Sequence, residues 1–571
     1  MLPSFHRTYK ESRTVSATPV ETSPRKRRKR GEGQWALGHR EPLNKNEQGK
    51  KDDNPLNVRA RIEGIYAHNG FDSIDPADLR GRFRWWGLYT QRRPGIAGGK
   101  TSTLEDEELD DRYFMMRVRM DGGQLSVAQL RAVAGISTDF ARDTADVTDR
   151  QNVQYHWIRI EDVPEIWRRL EEVGLDTQEA CGDCPRVILG SPVAGVADGE
   201  AIDPTEQIEE IYDHFVGDKS LSNLPRKFKS AISWLPDIPY ECNDISLLGA
   251  HHPEHGPGFD LWVGGGLSTN PMFAQRLGVW VSQEDIAEVW VNVVRIFRDW
   301  GYRRLRTRAR LKFLVKDWGA EKFREVLESE HYLGRELPRL EAPPVPEKLI
   351  DHIGVHKQAD GNFYIGAAPV AGRVSGELLN KLADVAERHG SDRVRTTPMQ
   401  KLLVLDVAPE KVDAVVADLE AVGLSANPSP WRRSTMACTG IEFCKLAIVD
   451  TKDRARDLVA ELERRIPELD VPISVHLNGC PNACARTQTA DIGLKGQLVL
   501  KDGEQVEGFQ VHLGGGHASQ ASFGRKARGL KVASADLDDY VERLTRRYLD
   551  QRESGESFAK WVHRAEEGDL Q

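Results

Sequence analysis

Apolar and polar positions alternate around Met115–Val118, the period-two signature of a strand, and the stretch from Ser126 to Asp139 turns to the spacing of a helix with one buried face. A strand-then-helix succession also appears in two long matching segments, DRQNVQYHWIRIEDVPEIWRRLEEVGL (Asp149–Leu175) and RTTPMQKLLVLDVAPEKVDAVVADLEAVGL (Arg395–Leu424). Each places an Arg, a Gln four or five residues on, an alternating apolar strand and a helix ending in Glu-x-Val-Gly-Leu. The match continues downstream, where Asp244-Ile-Ser-Leu answers Asp491-Ile-Gly-Leu and GFDLWVGGG (Gly258–Gly266) answers GFQVHLGGG (Gly508–Gly516). Gln154 stands 90 residues before Asp244, and Gln400 stands 91 before Asp491. So even a spacing across three matched segments predicts duplication. The expected fold class is α+β, internally duplicated, with two halves packed about a pseudo-twofold axis and a cavity where they meet. Pro338, Pro343, Pro344 and Pro346 disfavour helix and strand interiors and mark the linker between the halves.

With 571 residues, 39% of them hydrophobic, the chain has room for three or four domains with cores of their own. No run of eighteen apolar residues occurs and the N-terminus lacks an apolar signal segment, so the expectation is a cytoplasmic protein with no membrane partner. A net charge of -9 argues against nucleic acid as a partner. Arg25–Arg30 is a run of six cations, which predicts a disordered basic arm over residues 1–53. The arm reads as a handle for an acidic partner or, the commoner case for such runs, as a solvated extension.

Four of the seven cysteines carry the candidate chemistry: Cys438-x5-Cys444 and, after thirty-five residues, Cys480-x3-Cys484. A four-iron cluster needs four thiolates delivered from two loops, and CTGIEFCK and NGCPNACAR have the glycines and proline for tight turns. Structural zinc is the alternative, but its ligand loops space cysteines by two to four residues, and the first pair fits that poorly. The paired motifs CTGIEFC and GCPNAC resemble those of the sirohaem-containing sulfite and nitrite reductases, and the resemblance runs from about Gly31 to the C-terminus.

The resemblance implies one 4Fe-4S cluster on Cys438, Cys444, Cys480 and Cys484, with Cys484 bridging to one sirohaem. It implies further cofactor contacts from Arg150, Asn152, Gln154 and His156, and from Arg395, Thr397, Gln400, Lys401 and Asn482. Four cations, Arg117, Arg186, Lys227 and Lys229, would hold a small anion. His156, taken alone, reads better as a core histidine bonded to backbone. The implied domains are ferredoxin-like halves at 54–160 and 348–427, a sirohaem and substrate lobe at 161–335, a linker at 336–347 and a cluster lobe at 428–571. Each half is expected to give a parallel strand pair to the central domain. EACGDCPRVILG and LPRKFKSAIS are expected to be the first half's counterparts of the two cluster loops.

Cys181 and Cys184 form a Cys-x-x-Cys pair, open to a redox site, half a zinc site or free thiols. The resemblance adds a thioether between Tyr89 and Cys181. It also implies six-electron reduction of sulfite to sulfide, with nitrite to ammonia as the second reading. No dinucleotide fingerprint occurs, so electrons must come from a separate carrier. The family's donor is ferredoxin, whose plant-type members have potentials of about -400 mV. The basic run Gly301–Phe313 is a candidate docking surface for it or a set of partners for the sirohaem carboxylates. A non-catalytic electron-transfer protein that uses the cluster alone is the reading from a different class.

Overall fold

Each central sheet borrows a strand from the other half of the chain. In the computed structural model, which describes residues 43–526 and 529–571, the first sheet runs Leu88–Arg92, Asp110–Arg117, Val153–Ile158, Ala145–Val147 and then Arg373–Val374. The second runs Gly354–Lys357, Phe363–Ala367, Leu402–Val407, Arg393–Thr396 and then Gln124–Ser126. All pairings in both are antiparallel. The run Arg25–Arg30 lies outside the described residues.

The exchanged strands lead into two helices that meet at the axis. Ser126 caps Val127–Phe140, with Gln129 completing a capping box, and Ser375 caps Gly376–His389 by accepting from Leu378 N. Gly376 lets the helices touch, because a Cβ there would fall 2.3 Å from Ala134 O. The core they share includes Leu130, Val133, Leu379, Leu382 and Val394, and the helix Val163–Glu171 adds Val163, Ile166, Trp167 and Leu170, beyond the expected boundary at 160.

Each half carries one flanking lobe of the same topology. Strands Pro185–Gly190, Phe228–Ser233, Ile245–His252, Gly256–Val263 and Gln275–Val281 form the first sheet, and Thr435–Ala437, Val475–Asn478, Ile492–Lys501, Glu504–Leu513 and Lys531–Ala533 the second. The leading three strands of each are parallel and the rest antiparallel. The parallel strands therefore belong to the lobes and not, as expected, to the central domain.

The lobes clasp across the axis in matched pairs. Phe273 and Phe523 stack with centroids 4.1 Å apart. Glu241 accepts from Ala518 N at 2.7 Å and pairs with His517 Nδ1 at 2.8 Å, while its counterpart Gln488 donates to Ser268 O at 2.9 Å.

The described residues of the expected arm, 43–53, are ordered: Lys45–Asp52 is a helix capped by Asn44, with Glu47 and Lys50 buried. Composition misled here because the segment docks through ion pairs rather than apolar contact.

Strand exchange makes each half depend on the other. Residues 43–340 made alone, lacking the strand Arg373–Val374 and the helix beside Val127–Phe140, are expected to show no cooperative thermal transition by circular dichroism, and co-production with 341–571 should restore one.

Candidate functional site

Two equivalent turns set the geometry. In Thr148–Asn152 and Thr397–Lys401 the first residue's N–H donates to the last residue's carbonyl, at 2.9 and 3.0 Å, and its hydroxyl accepts two backbone N–H groups. Gln151 and Gln400 both take left-handed backbone, with φ of 58° and 60°. Gln151 exchanges two hydrogen bonds with the Gly190 backbone, and Gln400 does the same with Ala437. The structural equivalents are thus Gln151 with Gln400 and Arg150 with Met399; the pairing of Gln154 with Gln400 read from sequence is off by three residues.

Gln400 thereby fixes the residue before Cys438, and Gln154 Nε2 donates to Thr439 Oγ1, just after it, at 2.6 Å. Both cluster loops follow the C-terminal ends of parallel strands, Thr435–Ala437 and Val475–Asn478. Burial and then the Cys484 charge push Cys438 up to about 12, and the same two causes raise Cys444 and Cys480. The four sulfurs thus share one electrostatic field. Gly479 N donates to Cys438 Sγ at 3.2 Å, the kind of backbone donor that steadies thiolates on iron. No three His, Cys, Asp or Glu side chains among the described residues close around a single metal ion. A cube held at four corners needs a wider spread.

The first lobe presents cations from the opposite strand ends. Arg186 and Lys229 lie at the N-terminal sides of Pro185–Gly190 and Phe228–Ser233, so EACGDCPRVILG and LPRKFKSAIS are not counterparts of the cluster loops. Matching strand registers, Ser191 stands where the second lobe has Cys438, and Lys229 where it has Ser474.

One cavity joins the two chemistries. Arg150, Lys227, Lys229 and Arg310 line it from one side, and Asn482, Ala483 and Arg486 from the cluster loop. Burial, then Arg150, bring Lys229 down to about 8, and the Cys484 charge works the other way. Burial, then Lys229, lower Lys227 well below the usual lysine range. Arg117 donates to Gln154 Oε1 at 2.9 Å and to Cys181 Sγ at 2.8 Å. Arg186 is held by the carbonyls of Ala180 and Gly182; burial opposes its charge, but Cys181 and then Tyr89 raise its pKa. Burial and then Cys181 raise Tyr89, so phenol and thiol stand in each other's field. Cys184 is buried and donates to Cys181 O at 2.8 Å, a free thiol.

The donor set fits a polycarboxylate macrocycle. Among the described residues, the buried Nε atoms of Arg150 and Arg486 lack partners, and Arg486 Nη2 has the sulfurs of Met399 and Met436 as its partners. A guanidinium buried without a carboxylate calls for an anion. Asn243, which accepts from Arg150 Nη1 at 2.9 Å, and Arg486 were missed in the sequence, while Arg310 lies in the run Gly301–Phe313 singled out there. The signal for Arg486 was its position two residues after Cys484.

Other expected contacts do structural work instead. His156 stacks on Phe443 at 3.8 Å and pairs with Asp146 at 3.1 Å, the core-histidine reading. Asn152 accepts from Met120 N, Thr397 caps its turn, and Lys401 Nζ holds the carbonyls of Arg432 and Thr435. Arg395 does not line the cavity; it is buried, its Nη1 donates to Val394 O at 3.2 Å, and its Nε has no partner among the described residues. The run Gly301–Phe313 faces inward at Arg303, Arg306, Arg310 and Lys312, which pair with Glu47, Asp183, Asp244 and backbone carbonyls.

A roomier cavity of about 790 Å³ occupies the equivalent place across the axis. Met399, Pro472 and Ser474 line it where the first site has Arg150, Lys227 and Lys229, and its Arg433 and Arg552 pair with Asp351 and Asp470. It lacks the chemistry of its twin.

Duplicated ferredoxin-like halves joined to a four-cysteine lobe define a class. Residues 181–337 and 430–567 match the nitrite and sulphite reductase 4Fe-4S domain, and 107–173 and 356–422 match the nitrite/sulfite reductase ferredoxin-like half domain. The chain belongs to the nitrite and sulfite reductase family. Sulfite reductase (ferredoxin) 2 of Mycolicibacterium paratuberculosis is 60% identical over 96% of this chain and 100% of its own length. Sulfite reductase (ferredoxin) of Mycobacterium tuberculosis is 59% identical over the same shares. The assimilatory ferredoxin-dependent nitrite reductase of Haloferax mediterranei is 35% identical over 91% of each chain. The solved structure of Mycobacterium tuberculosis NirA protein superposes with a TM-score of 0.92 at 59% identity, covering 95% of this chain and 100% of that one.

The twin glutamines give a matched test. Gln400→Leu leaves the buried Ala437 N–H and C=O unpaired, and Gln151→Leu does so at Gly190; each is expected to cost roughly 1–3 kcal/mol in urea unfolding. Only Gln400→Leu should speed the loss of cluster iron to a chelator.

Proposed function

We propose that the protein catalyses the ferredoxin-dependent six-electron reduction of sulfite to sulfide at a sirohaem coupled to a 4Fe-4S cluster, in assimilatory sulfur metabolism. The observation that carries this reading is the cavity in which Lys227 and Lys229 of one lobe face Asn482 and Ala483, the residues before Cys484, of the other. Identity of 58–60% to proteins named sulfite reductase (ferredoxin), against 35% to the nitrite reductases, favours sulfite over nitrite.

Cys438, Cys444, Cys480 and Cys484 would hold the cluster, with Cys484 reaching the sirohaem; Arg150, Asn482 and Arg486 would hold its carboxylates. When bound, the two groups store and deliver electrons and offer iron to the anion. The chain supplies charge and protons. Arg117 and Arg186, their guanidinium planes fixed by Gln154 and by the Ala180 and Gly182 carbonyls, hold the anion's oxygens without reorganising. Lys227 and Lys229, ammonium groups lowered by burial, give up protons to departing oxygen more readily than a surface lysine.

Tyr89 and Cys181 would form a thioether beside this pocket. A carbon–sulfur bond replaces the ring C–H and the thiol S–H, and dioxygen or a comparable oxidant takes up the two electrons and two protons. We place the protein in the cytoplasm, a reading supported by seven cysteines that are all free. No helix among the described residues is long and apolar enough to cross a membrane.

With reduced ferredoxin, kcat/KM is expected to favour sulfite over nitrite; a preference for nitrite would reverse the substrate order. Lys229→Met should lower kcat for sulfite by about 100-fold while iron and sirohaem contents hold. Peptide mass mapping should recover Tyr89 and Cys181 in one cross-linked species, lighter than the separate peptides by the hydrogens lost.

A further inference from the structure

We propose that the helix Lys45–Asp52 is a positioning element of the anion pocket, with Lys50 as the crosspiece that holds Cys181–Arg186 and Leu224–Lys229 in register. The inference rests on the function proposed for that pocket. Lys50, 7% exposed, donates through Nζ to Glu47 Oε1 at 2.6 Å and Leu224 O at 2.7 Å, and stands 3.6 Å from Asp183 Oδ2. Leu224 opens the segment that carries Lys227 and Lys229, and Asp183 lies three residues before Arg186. One ammonium thus touches both cation-bearing stretches.

The same two stretches are sewn together by Leu224 N to Asp183 O at 2.9 Å and Phe228 N to Cys184 O at 3.1 Å. Asp183 also takes Arg306 through two bonds of 2.6 and 3.0 Å, and Arg226 at 3.4 Å. Glu47 extends the chain of charges to buried Arg303 at 3.1 Å, and Asn44 donates to Arg303 O at 2.7 Å while capping the helix.

The helix, KNEQGKKD, has no apolar side chain. It cannot be docked for its hydrophobic area, so directional polar bonds hold it, and such bonds set position within a few tenths of an ångström. Removing the Lys50 charge leaves Asp183 with less compensation in a buried place, and the loop that aims Arg186 must shift or admit water. The pocket's cations would then meet the anion less well aligned, which weakens anion binding more than it changes the chemistry that follows.

The test uses the full-length holoenzyme carrying Lys50→Met, with Gln48→Ala on the exposed face as control. Lys50→Met should raise KM for sulfite about tenfold and leave kcat within about twofold. The sulfite-dependent change in sirohaem absorption should need about tenfold more anion. Amide exchange at Leu224 and Phe228 should quicken, and Lys50→Arg should recover part of the loss. Gln48→Ala should match the parent. Glu47→Gln, which keeps the volume and removes one charge from the network, should move KM in the same direction by less, and stands in if Lys50→Met does not fold. Unchanged KM and anion affinity in a folded, fully loaded variant would overturn the proposal, as would a fall in kcat with KM unmoved. A chain that turned over nitrite and not sulfite would overturn the substrate reading alone, and the same shifts would then be read with nitrite.

Discussion

Everything in the site descends from a reciprocal strand exchange. Arg373–Val374 closes the sheet of the first half and Gln124–Ser126 closes that of the second, so neither half has a complete sheet of its own. Exchange of this kind fixes the pseudo-twofold axis rigidly, because a slip of one residue would turn every buried side chain of a strand outward. Two left-handed glutamines then carry the axis outward, each clamping the end of a lobe's first parallel strand. Lobes so placed can face cysteines from one copy with cations from the other at fixed separation.

Duplication supplied two equivalent cavities, and side-chain divergence made them different. Arg150, Lys227 and Lys229 charge one; Met399, Pro472 and Ser474 leave the other without a comparable set. Arg486 lines both and has no carboxylate hydrogen-bond partner among the described residues. The asymmetry suits a symmetric scaffold to a single reaction: on one side of the axis Arg150, Lys227 and Lys229 face Asn482 and Ala483, and on the other Met399, Pro472 and Ser474 stand in their places.

Much of this was legible in the chain. Ligand spacing at Cys438–Cys484 is a local signal, and the matched GGG segments betrayed the duplication, since a strand pair repeats its turn chemistry. What failed was long-range. Gln151 was overlooked for Gln154 because sequence matching aligned the glutamines by spacing, whereas hydrogen bonds to Gly190 and Ala437 define the true pair. His156 and Lys401 carry suitable groups but spend them on neighbours that only the fold brings near. Lys45–Asp52 reads as disordered because it lacks apolar residues, yet buried partners at Asp183 and Leu224 order it. Local composition does not reveal a distant carboxylate.

The central claim is that thiolates of one lobe and cations of the other converge on a single cofactor site per chain. Quantifying sirohaem, iron and acid-labile sulfide in the purified native protein tests it most directly. One sirohaem and one four-iron cluster per chain are expected. A cluster without sirohaem, or a second sirohaem seated across the axis, would contradict it.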